Sequence, residues 1–173
     1  VAPEAADAER LAALLAGSEA SAPIAGRAHV DGIDDAHRFD VVVVHDPNRT
    51  GAALLAEEGI RRTGSRATVV RFAGPEGDDE AGIEQVRAAI LRAVTDRATA
   101  FGRAFPAFRA SAVKAIVDET AMANAQFALV SNIPAVVPLI GSLASAGADL
   151  IVLTKNQVML VFKIAAIHGR DLH

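Results

Sequence analysis

Two patterns of hydrophobic and polar positions divide this chain. In the first half, short β-branched runs are separated by segments of helical periodicity, and in the second half apolar residues fill long helical stretches with little interruption. Residues 4 to 16 put Leu11, Leu14 and Leu15 at helical spacing ahead of Gly17, which predicts a short helix. A brief strand is expected at 26–30. The run Val41 to Val44, closed by Asp46 and Pro47, suits a strand covered on both faces, as parallel sheets provide. A helix follows through Arg62, capped by Asn48 or Thr50 and ended by Gly64, and then a second β-branched run at 67–72. Ile83, Val86, Ala89, Ile90 and Val94 mark a further helix from about Glu80 to Thr95. The order β, α, β, α is that of a crossover on a parallel sheet. A sheet this thin needs its edges covered.

Beyond residue 96 the pattern is helical. Pro106 is placed to start a long helix ending near Asn132, the prolines of "IPAVVPLIG" interrupt it, and a last helix runs from Ser142 to about His168, stopped by Gly169. The expected fold is therefore α/β plus all-α: a small parallel βαβα unit over residues 1–96, followed by a helical hairpin domain over 97–173. The last helix is apolar around most of its circumference, which predicts burial nearly all round. Asp149, Asn156, Lys163 and Arg170 recur at sevens and so share one stripe. In an antiparallel hairpin, Lys155 and Asn156 are expected opposite Asp118 and Glu119, with Asp149 near Asn124 and Gln126. Asp149, Lys155, Asn156 and Lys163 would then form a buried polar stripe matched by Asp118 and Glu119, because an unmatched buried charge is costly. A competing reading is membrane insertion. Residues 120 to 148 carry no charge, a span long enough for a bilayer, although Asn124, Gln126, two prolines and the later lysines weigh against a simple crossing.

The segments "ANAQFALVSNIPAVVPLIG" and "ADLIVLTKNQVMLVFKIAAIHG" together resemble the helical domain of unknown function of YcjF-type proteins and of some Era-like GTPases, over roughly residues 105 to 170. The likeness rests on the turn from Asn132 to Pro134 and on Thr154 to Gln157. That resemblance implies a helical architecture and membrane association, and no defined reaction. The first half is similar to the last part of a GTPase-type α/β domain, either degenerate or partial. No GxxxxGK[ST] occurs, and "VVVVHDPN" stands where a guanine-reading NKxD would fall.

Composition narrows the chemistry. There is no cysteine, so disulfides, thiolate metal sites and thiol nucleophiles are excluded, and a cytoplasmic chain is expected, with the periphery of the inner membrane as the other address. A net charge of −4, seven Phe and no Trp or Tyr argue against nucleic acid as a partner. The N-terminal segment lacks the basic region of a signal peptide. The five histidines show no metal-binding spacing, the acids of "EGDDEAG" lack the alternation of a calcium loop, and no serine has a nucleophile-elbow context. No catalytic residue, metal or cofactor is expected.

One loop is a candidate for ligand chemistry. "HDPNRTG" leaves a buried strand and enters a helix N-terminus, where backbone N–H groups attract anions. Asp46 could bind a metal or a hydroxyl and Arg49 a phosphate, with Asn48 and Thr50 beside them. The plainer reading is a strand end followed by a helix cap. Two functions follow from different classes: a non-enzymatic interaction or assembly module, forming a homo-oligomer or contacting a membrane or a GTPase, and a nucleotide- or anion-binding regulatory domain using residues 45–51.

Overall fold

The valine run forms β1 (Val41–His45), which pairs in parallel with β2 (Thr68–Phe72), Val41 opposite Thr68 and His45 opposite Phe72. The computed structural model describes residues 1–22, 24–26, 34–73, 80–131 and 142–170, with the side chains of 130, 131 and 142–149 left aside. The strand expected at 26–30 lies largely outside the described residues. Alternation along β1 sends Val42 and Val44 to one face, where they bury against Ala53 and Ile60 of α2 (Ala52–Arg62). Val41 and Val43 face the other way, toward α3 (Glu80–Ala93). Both faces are thus covered, which is why the run carries no polar alternation. Val1 covers part of the outer edge of β1: its α-amino group donates to the Val43 carbonyl at 2.7 Å, and the His45 N–H donates to the Val1 carbonyl at 2.8 Å.

The mixed architecture expected from the pattern is present, with helices dominating a two-stranded parallel sheet. α1 (Ala5–Ala16) ends against α3, where the Arg87 guanidinium donates to the carbonyls of Leu14 and Leu15 and satisfies the helix terminus. After α3 come α4 (Ala98–Ala104), a 3₁₀ turn at Pro106–Phe108, α5 (Arg109–Ser131) and α6 (Ser142–Ile167). Pro106 stands at the start of the turn that leads into α5, where its missing N–H has no helical role to lose.

One apolar cluster crosses residue 96. It joins Leu15, Val70, Ile90 and Leu91 to Phe108, Ala112, Ile116 and Ile167. At its far end α6 is held by Ile167, which is fully buried against α4 and α5. A Cβ added at Gly102 would stand 2.8 Å from the Ile167 Cγ2 and 3.0 Å from the Ala112 Cβ, so only glycine admits this approach of α4.

That contact sets a hairpin register different from the expected one. Asn156 lies opposite Asn124 rather than Asp118 or Glu119, and Lys163 lies opposite Glu119. The displacement is about two helical turns. Its cause is that the apolar docking of Ile167 and Ile116 at the base outweighs charge matching between exposed side chains, which contributes little.

Ile167→Ala is expected to cost about 2–5 kcal/mol and Gly102→Val about 1–3 kcal/mol, because the first leaves a cavity and the second overpacks a closed contact. Val161→Ala on the same helix, where the side chain is exposed, should stay within about 0.5 kcal/mol. Urea denaturation followed by far-UV circular dichroism measures all three.

Candidate functional site

The loop between β1 and α2 closes on itself. Asp46 is nearly buried, and its Oδ1 accepts from both the Thr50 N–H and the Thr50 hydroxyl at 2.8 Å, while its Oδ2 accepts from the Gly51 N–H at 3.0 Å. The Asp46 backbone adds two more bonds, its N–H to the Phe72 carbonyl and its carbonyl from the Arg49 N–H. Arg49 and Gly51 take left-handed conformations, φ 51° and 87°, which turn the chain tightly enough for these donors to converge. Burial alone would raise the Asp46 pKa, but the Thr50 and Gly51 donors outweigh it and hold the carboxyl below its ordinary value.

The structure therefore brings Asp46 and Thr50 together and leaves Asn48 and Arg49 exposed on the outside of the turn. Capping of α2 differs from the expectation of Asn48 or Thr50: Gly51 is the N-cap residue and makes no side-chain bond, and the Asp46 carboxylate supplies the acceptor from five residues back. His45, buried behind the loop, stacks on Phe72 with ring centroids 5.1 Å apart. No group of three His, Asp or Glu residues able to hold a metal ion occurs among the described residues.

A cavity of about 300 Å³ lies between α1, β1 and α4. Leu11, Leu15, Val43, Phe101, Phe105 and Phe108 form much of its wall, and the three Phe rings pack on one another at 5.7–5.8 Å. Arg97 stands at its rim, ion-paired with Asp40.

The largest chemical anomaly is the hairpin. Beyond Ile116 and Leu160, α5 and α6 pack only on each other among the described residues, and the expected burial of α6 all round is not found. Leu129, Ile151 and Val161 are 73%, 71% and 61% exposed, with Met122, Leu150, Val158, Met159 and Phe162 also exposed. Leu150–Ile167 is long and apolar enough to cross a bilayer by length and composition, and only 6% of it is buried.

The seam mixes polar and apolar residues, and large apolar side chains lie outside it. The partly buried seam contains Thr120, Asn124 and Phe127 of α5 and Val152, Asn156, Leu160 and Lys163 of α6, and the Asn156 amide donates to the Asn124 carbonyl oxygen at 2.8 Å. The backs, turned away from the seam, carry Met122, Ala125 and Leu129 on α5 and Leu150, Ile151, Thr154, Val158 and Val161 on α6. The polar stripe expected to be buried divides accordingly. Asn156 and Lys163 are partly covered by the seam, Asp118, Glu119 and Lys155 are exposed, and the Asp149 side chain lies outside the described residues. Lys163 reaches Glu119 at 3.4 Å and Lys114 reaches Asp118 at 2.8 Å within α5. These pairs fall near the base, where α5 and α6 join the main apolar cluster.

No family model, no curated protein and no solved structure matches the chain.

Because the depressed pKa makes the Asp46 carboxylate a stabilising group, its contribution is present above the ordinary aspartate value and is lost as pH falls through the lower native one. Asp46→Asn, which turns an amide N–H₂ toward the Gly51 N–H or the Thr50 donors, should melt at lower temperature than the parent at pH 7, with the gap narrowing below about pH 4. Thermal melts of the two proteins between pH 3 and pH 7 test this. For the seam, a double-mutant cycle on Asn124→Ala and Asn156→Ala should return a coupling of about 0.5–1.5 kcal/mol.

Proposed function

We propose that this chain is a non-enzymatic interaction and assembly module that works through the α5–α6 hairpin. The carrying observation is the exposure of Leu129, Leu150, Ile151, Val158 and Val161 on a helix pair whose polar contacts point inward. Contiguous apolar surface of this extent on a folded domain marks a docking region rather than a resting surface. The α/β half acts as the rigid base, since its main apolar cluster contains the hairpin's lower turns. The rival reading, anion or nucleotide binding at residues 45–51, has less support because both Asp46 oxygens already serve the loop's own donors.

Static light scattering on the purified chain at micromolar concentration, without detergent, is expected to give a mass above that of the monomer. Val158→Glu combined with Val161→Glu should return it to the monomer without lowering its melting temperature, as both positions are exposed. A parent chain that is a clean monomer and binds no more of an apolar dye than the double variant would sink the proposal.

A further inference from the structure

We propose that the outer edge of β1 is a strand-docking slot. It takes an extended, uncharged segment of a partner protein in parallel with β1 and seats two of its large apolar side chains in the cavity between α1 and α4. The slot is separate from the hairpin. The Thr68 N–H donates to the Asp40 carbonyl at 3.0 Å, and the Asp46 N–H donates to the Phe72 carbonyl at 2.9 Å. Backbone groups of successive strand residues alternate in direction, so the even-numbered residues of β1 serve β2, while Val41, Val43 and His45 turn theirs to the outer edge. There the Val43 carbonyl and the His45 N–H are taken by Val1. The Val41 N–H, the Val41 carbonyl and the Val43 N–H have no hydrogen-bond partner among the described residues. An unpaired row of this kind is a template for another strand.

Val1 fixes the direction. Donating to Val43 and accepting from His45 is the pattern of a parallel bridge opposite Val44. One bridge further along the edge, a residue opposite Val42 would donate to the Val41 carbonyl and accept from the Val43 N–H, and the residue two before it would accept from the Val41 N–H. A parallel segment of about four residues thus satisfies all three groups. An antiparallel strand reaching Val43 would compete with Val1 for that carbonyl.

The space beside the edge specifies the side chains. Opposed residues of neighbouring strands share a face, so the residue opposite Val42 points toward Ala36 and Val1 in their closed cluster. Its two neighbours point with Val41 and Val43 into the cavity of about 300 Å³, whose wall includes Leu11, Leu15, Phe101 and Phe105. The required pattern is large apolar, small, large apolar. At the mouth stand two acids, Asp35 and Asp40, and two bases, Arg38 and Arg97, with Arg97 ion-paired to Asp40. A mouth so balanced selects an uncharged segment over an acidic or basic one. Donors and acceptors that alternate at strand spacing match a peptide backbone, the mode of recognition by strand addition, and not a hydrocarbon with a single polar head.

The test is titration of acetyl-Leu-Ala-Leu-amide into the isotope-labelled full chain, followed by two-dimensional amide NMR. The Val41 and Val43 amide signals should move downfield and saturate while those of Leu129 and Val158 on the hairpin stay in place. Methylating the central alanine nitrogen removes the donor to the Val41 carbonyl and should weaken binding tenfold or more. Acetyl-Ala-Leu-Ala-amide, which inverts the pattern, should bind as weakly as the methylated peptide. Ala12→Phe, filling the cavity from α1, should abolish binding. The methylated peptide probes the same edge without altering the chain, so the test survives a variant that does not fold. Equal binding of the methylated and unmethylated peptides, or shifts confined to α5 and α6, overturns the proposal. So does octanoate saturating the cavity while the tripeptide leaves Val41 and Val43 unmoved, a result that assigns the space to small amphiphiles.

Discussion

The packing of Ile167 into the space beside Gly102 and Ala112 is the contact on which the rest of the architecture depends. A fully buried aliphatic side chain in a closed site is worth several kcal/mol to the fold, and here it fixes the C-terminal end of a long helix. Phe108, Ala112 and Ile116 fix the matching end of α5 in the same cluster. Both helices are therefore anchored at their bases and left to project. Everything distal to that anchor, from the register of the Asn pair to the direction in which the apolar backs face, follows from where the anchor holds the two axes.

The projecting part obeys a different rule from the base. At the base, apolar side chains point inward and the arrangement is that of any water-soluble core. Among the described residues, the hairpin past Ile116 has one seam, too narrow to bury two helices that are apolar over most of their circumference. Of the side chains available for that seam, Asn124 and Asn156 satisfy each other, and their pairing makes a slide of one helix along the other costly because it would strand two amides. The aliphatic residues left over occupy the outside. The outside carries these together with Gln126, Thr154, Lys155 and Gln157, while Phe127, Val152 and Leu160 share the seam with the two asparagines.

Much of the local structure was legible in the sequence. The β-branched run at Val41, the glycine and proline stops, and the long final helix each carry a short-range physical cause that a single segment contains. Register was not legible in the same way, since it was settled by Ile167 meeting Gly102, two residues far apart in the chain whose contact no periodicity announces. The loop after β1 shows a related limit. "DPNRTG" reads most plainly as a strand end and helix cap, with an anion site as the rival, and the convergence of the Thr50 and Gly51 donors on the Asp46 carboxylate favours the first. The all-round apolarity of α6 led to an expectation of burial that the described residues do not show, because periodicity is silent on whether the same chain supplies a cover.

The division of charge along the hairpin makes the two halves of the molecule one design. A charge on the apolar backs would be tolerated in water at almost no cost, and water would even favour it, so its absence from residues 120 to 148 is unexplained by the needs of a soluble hairpin. The collar pairs show that the same helices carry ionisable groups where the α/β half keeps them in water: Lys114 with Asp118 and Lys163 with Glu119. Charge becomes sparse beyond the collar without vanishing: residues 120 to 148 carry none, while Asp149 and Lys155 remain on the distal part of α6. A helix pair adapted to solvent ordinarily gains charge as its neighbours fall away, and the scarcity of charge between residues 120 and 148 is what supports the proposed docking role of the distal hairpin.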